Sequence, residues 1–262
     1  MNSPLRALVF DVDGTLADTE ECHRRAFNAA FAAGGLAWRW NRTTYRRLLR
    51  VAGGRQRMRA HAEQDDAAFA SRADCDDVLR AVHRDKTRRY AALLRERPLP
   101  LRPGVARLFD EATAAGIALA LATTTTATNL DALLEPVLGS RWRNRFDAVV
   151  CGGDVARLKP APDAYREALR RLDIEPAAAL AFEDSANGIH SAQGAGLAVV
   201  ATPTWYSRAA RLPRALALLP HLGDPHAPLP AGMPGAPFVD LARLRAWHRG
   251  AAGQSRGTAA CC

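Results

Sequence analysis

Apolar residues fall along the chain in short unbroken runs: Leu5–Phe10, Ile117–Ala122, Ala148–Cys151, Ala178–Phe182 and Leu197–Ala201. Runs of this length without polar alternation suit strands covered on both faces. Between them lie amphipathic stretches, Val105–Ala115, Pro162–Leu172 and Asn187–Ala195, each ending near Gly, Asp or Pro as helices do. This alternation predicts an α/β fold, a doubly wound parallel sheet with helices on both sides.

Residues 18–97 break the rhythm. They hold no buried-strand run and read as several helices, among them Glu20–Ala33 and Val78–Arg95, before the proline-rich segment Pro98–Pro103 restores the alternation. The expected organisation is a core made of residues 1–17 and 98–262, with a helical cap domain inserted at 18–97 and hinged near Leu16–Asp18 and Pro98–Pro103. The last 50 or so residues, rich in Pro and Ala, read as a wrapped extension with a final helix at Asp240–His248.

Composition narrows the function classes. At 262 residues and 48% hydrophobic, the chain can bury a sizeable core. No apolar run approaches the roughly 18–20 residues of a membrane helix, and the N-terminus enters a strand within a few residues, so the expectation is a cytoplasmic protein without a membrane partner; a monomer is the expected state. Net charge is +9, and only Lys86 and Lys159 among the 36 basic residues are lysines. So heavy an arginine excess reflects coding bias, and a basic surface steers small anions toward the protein. Zinc-finger spacing and an RNP-like aromatic motif are missing, so no specific nucleic-acid partner is expected. The cysteines Cys22, Cys75, Cys151, Cys261 and Cys262 are scattered, indicating neither a disulfide framework nor a zinc site, and the terminal pair reads as a frayed tail.

Candidate chemistry gathers at the ends of the predicted strands. Asp11-Val-Asp13-Gly14-Thr15 directly follows the first, where ligands of parallel α/β folds collect. Two acids two residues apart repel unless a cation or proton lies between them, and Mg2+ takes carboxylate and phosphate oxygens together; a solvated turn is the plain alternative. The hydroxyl-rich Thr123–Thr126 follows the second strand and could bind phosphate or be a polar turn. Lys159-Pro160-Ala161-Pro162 presents a compact cation on a stiffened segment. Glu183-Asp184-Ser185 follows a later strand, as an acidic pair or a helix N-cap.

In this order and context the set Asp11-x-Asp13-Gly14-Thr15, Thr123, Lys159 and Glu183-Asp184 resembles the four motifs of the haloacid-dehalogenase-like hydrolase superfamily. The resemblance runs from Leu5 to about Thr202, with the insertion where the helical cap of the β-phosphoglucomutase subgroup sits, on a Rossmann-like core. It implies that Asp11 attacks phosphorus and forms an aspartyl-phosphate, and that Asp13 protonates the leaving oxygen and then activates water. Thr123 and Lys159 would hold phosphoryl oxygens. Mg2+ would sit on Asp11, the main-chain carbonyl of Asp13 and Asp184, with Glu183 in support. A phosphonate-cleaving relative would need a cap lysine, and Lys86, within His83-Arg-Asp-Lys86-Thr-Arg, reads as part of a solvated helix face.

Narrower features are Thr19-Glu20-Glu-Cys-His23-Arg-Arg-Ala-Phe27, Trp38-x-Trp40 with Tyr45, Gly53-Gly54-Arg55-Gln56-Arg57, and Leu219-Pro-His-Leu-Gly-Asp-Pro225. Together these are similar to the CbbY-type xylulose-1,5-bisphosphate phosphatases of Calvin-cycle operons, although that turn more often carries Lys and Glu where Arg55 and Gln56 stand. The likeness implies substrate contacts from Glu20, His23, Tyr45, Gly53, Gly54, Arg55 and Arg57, with Thr124 joining them. The substrate expected is a small anionic sugar phosphate or bisphosphate, whose second anionic end Arg55 and Arg57 would meet. A phosphomutase, a phosphoglycolate-type phosphatase and a non-catalytic phosphate-binding protein are the alternatives.

Overall fold

Six parallel strands form one sheet in the order β3-β2-β1-β4-β5-β6, with β1 at Ala7–Phe10, β2 at Ala118–Ala122, β3 at Ala148–Val150, β4 at Ala179–Glu183, β5 at Ala198–Ala201 and β6 at Ala217–Leu218. The structure is a computed structural model that describes residues 3–208 and 211–257, with side chains as far as residue 251. Cys261 and Cys262 lie outside the described residues. Two compact units divide the chain. The first comprises Met1–Asp18, Leu101–Thr123 and Arg143–Cys262; the second comprises Thr19–Pro100 and Thr124–Trp142.

In the first unit the two faces of the sheet differ in side-chain size. Register aligns Val9 with Ala120 and Ala181, and Phe10 with Leu121 and Phe182. Successive strand residues point to opposite faces, so across β1, β2 and β4 one face is Ala and Val while the other is Leu and Phe. Helices α8 (Asp163–Leu172) and α9 (Ala186–Gly194) cover the small-residue face through Tyr165, Ala168, Leu169, Ile189 and Ala192. On the large face Phe10 stacks on Phe182 at 4.3 Å and meets Phe109 of α6 (Val105–Ala114) edge-on at 5.1 Å. The parallel, doubly wound architecture is the one the sequence predicts. β6 is too short to signal itself, having only two residues. The final helix α10 (Leu241–Gly257) extends past the predicted end, and His248 Nε2 donates to the Ala177 carbonyl at 2.8 Å.

The second unit is helical: α1 (Glu20–Ala33), α2 (Arg42–Leu48), α3 (Gly54–Asp65), α4 (Ala67–Ala70), α5 (Cys75–Glu96) and α7 (Ala127–Leu138). The core bounds expected from the sequence, 98–262, include α7, whereas in the structure it packs on α5 in the second unit. Trp40 is fully buried among Phe27 (4.8 Å), Phe31 (4.7 Å) and His61 (5.5 Å), so this aromatic pattern builds the unit's own core. One expectation is corrected here. Lys86 does not lie on a solvated face: it is 4% exposed, on the stripe of α5 that also buries Leu79, Val82, Tyr90 and Leu94. The charged neighbours Arg84 and Arg88 lie outside that stripe and conceal the inward spacing. No helix among the described residues is long and apolar enough to cross a membrane.

Candidate active site

β1 is central, and the chain runs outward from it to β2 and β3 before returning to β4 on its other side. Such a switch point opens a crevice beyond the carboxyl ends of the strands. Asp11 stands one residue past β1, Thr123 one past β2, and Glu183 ends β4 with Asp184 after it. Glu183 continues the Ala179, Ala181 periodicity, so its carboxylate is directed to the fully covered α8 face. A charge buried there needs partners, and Lys159 and Tyr165 supply them: the ammonium and the hydroxyl each donate to Oε1 at 2.7 Å. The same ammonium donates to Asp11 Oδ1 at 2.7 Å, and the Thr15 hydroxyl donates to Asp11 Oδ2 at 3.1 Å. Both oxygens of Asp11 are thereby oriented.

The Asp13–Thr15 loop is a tight backbone turn. Gly14 N–H donates to the Ala17 carbonyl at 2.9 Å, and Asp13 bridges to Ala17. At Gly14 φ is +86°, and a Cβ there would lie 2.4 Å from Asp184 Oδ2, so only glycine lets the loop close on that carboxylate. Thr123 is buried, its N–H donating to the Val150 carbonyl at 3.0 Å. The cis Lys159–Pro160 bond lies in the segment that presents the ammonium.

Asp11, Glu183 and Asp184 are all buried, and each offers an oxygen within 4.8 Å of the others. Burial, and then the charge of Glu183, push the Asp11 carboxyl up to about 7 against the pull of Lys159. Burial pulls the Lys159 ammonium down, but the charges of Asp11 and Glu183 outweigh it and hold the group above its ordinary value. Burial and Glu183 likewise raise Tyr165, which stays a neutral donor. One ammonium against three carboxylates leaves an excess of negative charge that a divalent cation would relieve. An all-oxygen donor set suits Mg2+, so the residues present fit the ion.

The helical unit holds a second polar cluster. The Tyr45 hydroxyl donates to Glu20 Oε2 at 2.7 Å and accepts from Arg57 at 3.0 Å, with the guanidinium 5.3 Å above the Tyr45 ring. Lys86 Nζ lies 2.8 Å from His23 Nδ1, and His23 stacks on Tyr90 at 3.9 Å. Gly53 is the N-cap of α3, which begins at Gly54, and Arg55 on its first turn is exposed. Thr124 belongs to this unit and is half-buried. Tyr165, His83 and Arg102 carry no role legible in the sequence. Burial, followed by Lys86 and Arg55, pushes the His83 imidazole down to about 4, so it is neutral at physiological pH. The tyrosine carries no local signal, because its partner lies 18 residues away.

Residues 5–196 match the model of the haloacid dehalogenase-like hydrolases. Protein CbbY of Cupriavidus necator, plasmid-encoded, is 51% identical over 248 residues, covering 94% of this chain and 98% of that protein. CbbY from Rhodobacter sphaeroides, crystallised in complex with phosphate, matches with a TM-score of 0.77 at 45% identity, over 83% of this chain and 94% of its own. A mutant of that CbbY in complex with xylulose-(1,5)bisphosphate matches with a TM-score of 0.78 at 44% identity, over 85% of this chain and 98% of its own.

Proposed function

The chain belongs to the haloacid dehalogenase-like hydrolase family and is a phosphatase, and we propose that it removes the C1 phosphate of xylulose 1,5-bisphosphate, giving xylulose 5-phosphate and inorganic phosphate. The observation that carries the chemistry is the buried Asp11 carboxylate, held between Thr15 and Lys159. The sugar is supported by the likeness to a protein crystallised with that bisphosphate.

On this reading an Asp11 oxygen forms a bond to phosphorus while the bond to the sugar oxygen breaks, and Asp13 gives that oxygen its proton. Asp13 then takes a proton from water as the water oxygen attacks the phosphorus of the aspartyl-phosphate, freeing phosphate and Asp11. Lys159 and Thr123 hold the phosphoryl oxygens, and Glu183 with Tyr165 holds Lys159 in place. Asp11, Asp184 and the Asp13 main-chain carbonyl would hold Mg2+, with Glu183 beside them; the ion, when bound, offsets charge on the phosphoryl oxygens. Residues 18–97 act as a cap domain that supplies substrate contacts through Glu20, His23, Tyr45, Gly53, Gly54, Arg55 and Arg57, joined by Thr124.

Phosphate release should be measured from xylulose 1,5-bisphosphate against hexose phosphates and phosphoglycolate, with Mg2+ and with EDTA. The expected result is a kcat/KM at least about tenfold higher for the bisphosphate, lost in EDTA and restored by Mg2+. A flat panel would overturn the substrate. Arg57→Met is expected to raise KM for the bisphosphate about tenfold with little change in kcat, through loss of a charge-assisted contact. An unchanged KM would remove Arg57 from the substrate contacts.

A further inference from the structure

Arg102 is a buried arginine that the chemistry above leaves unused. It is 9% exposed and is the second residue of the first unit after the chain returns to it at Leu101. Its backbone N–H donates to the Leu16 carbonyl at 2.7 Å. One terminal nitrogen donates to the Gly14 carbonyl, to the Thr202 carbonyl at 2.6 Å and to the Thr202 hydroxyl at 3.2 Å. The other donates to the Pro220 carbonyl at 2.5 Å. Nε lies 3.4 Å from Asp18, whose side chain is 72% exposed, so that ion pair contributes little. The guanidinium is therefore held chiefly by main-chain carbonyls from three segments distant in sequence. Burying such a group is costly unless its donors are satisfied, and the rigid fork of arginine suits several acceptors at once.

Segment Leu219–Pro225, conspicuous in the sequence and unused by the reaction, meets this arginine. Pro220 accepts from it, and Leu222 N–H donates to the Pro103 carbonyl at 3.2 Å. At Gly104 φ is +87°, and a Cβ would lie 2.3 Å from the Gly223 carbonyl oxygen, so the approach requires glycine. On the other side, Thr202 N–H donates to the Glu183 carbonyl at 2.7 Å, linking the same clamp to the end of β4.

We propose that Arg102 is a positioning residue for phosphoryl transfer, which fixes the Asp13–Thr15 loop by holding the Gly14 carbonyl and ties it to the strand end that carries Glu183 and Asp184. The proposal rests on the reaction at Asp11 set out above. Because Gly14 packs directly against Asp184, a loop released by loss of Arg102 carries Asp13 away from its working place while leaving the substrate contacts of the helical unit intact.

The test compares Arg102→Met and Arg102→Lys with the parent enzyme and with Asp11→Asn, recording thermal melting, kcat and KM well below each Tm. Arg102→Met is expected to lower kcat about tenfold to a hundredfold with KM within about twofold. Arg102→Lys should restore part of that loss, since an ammonium can still reach one or two of the carbonyls. A folded Arg102→Met with parental kcat overturns the proposal whatever its Tm. Failure of both arginine variants to fold also overturns it, leaving Arg102 a folding residue. Full turnover by Asp11→Asn would remove the underlying reaction, and the proposal with it; an inactive Asp11→Asn beside a fully active Arg102→Met sinks the proposal alone.

Discussion

Asp11→Asn is expected to reduce phosphate release by at least about a thousandfold, because an amide cannot accept the phosphoryl group in place of a carboxylate. The same substitution has an opposite effect on stability. In the metal-free protein the Asp11 carboxyl is held up at about 7 from its ordinary 3.8 by burial and by Glu183. Between those values the folded state binds more protons than the unfolded state, so stability falls as pH rises through about 4 to 7 and stays low above it. An uncharged amide at this position escapes that loss. In EDTA, Asp11→Asn should melt higher than the parent at pH 8, by on the order of 5 °C, with the advantage shrinking toward pH 4. Mg2+ should raise the parent Tm more than that of the variant. Retained magnesium-dependent turnover would disprove the nucleophile; a parent whose metal-free Tm rises from pH 4 to 7 relative to the variant would disprove the electrostatic account.

Lys159→Met is the second large effect. The ammonium touches both Asp11 and Glu183, and its removal leaves two buried carboxylates without it. Turnover should fall about a hundredfold to a thousandfold, the scale for losing a charge aimed at a transferring group. Stability should fall by about 3–5 kcal/mol, the cost of breaking a buried pair. Since the folded Lys159 value is raised, its contribution is fully present below the ordinary lysine range and is lost only as pH rises above it. The deficit of the variant should therefore be evident at neutral pH in a denaturant titration. Methionine keeps most of the stem, so a variant with parental stability and turnover would show that the charge is dispensable.

Much of the first unit was legible because strands covered on both faces leave apolar runs, and the runs ended in acids or hydroxyls. Leu5–Phe10 and Ala178–Phe182 point directly at Asp11 and Glu183, and those carboxylates do converge on Lys159. What escaped was decided by contacts distant in sequence. Tyr165 reaches Glu183, and Arg102 reaches Gly14 and Pro220, across stretches with no local pattern to betray them. Lys86 reads as solvated for a different reason: in so arginine-rich a chain, charged neighbours make an inward stripe look exposed. The placement of α7 on α5 likewise depends on packing, which strand–helix rhythm does not encode.

The burial of Lys86 and Lys159, the chain's two lysines, has a chemical consequence. An acylating reagent aimed at primary amines meets no lysine on the native surface. Each ε-amine becomes reactive only when the structure around it opens, Lys86 in the helical unit and Lys159 in the sheet unit. Modification at those positions is thus a pair of built-in reporters of local opening, one for each unit of the protein.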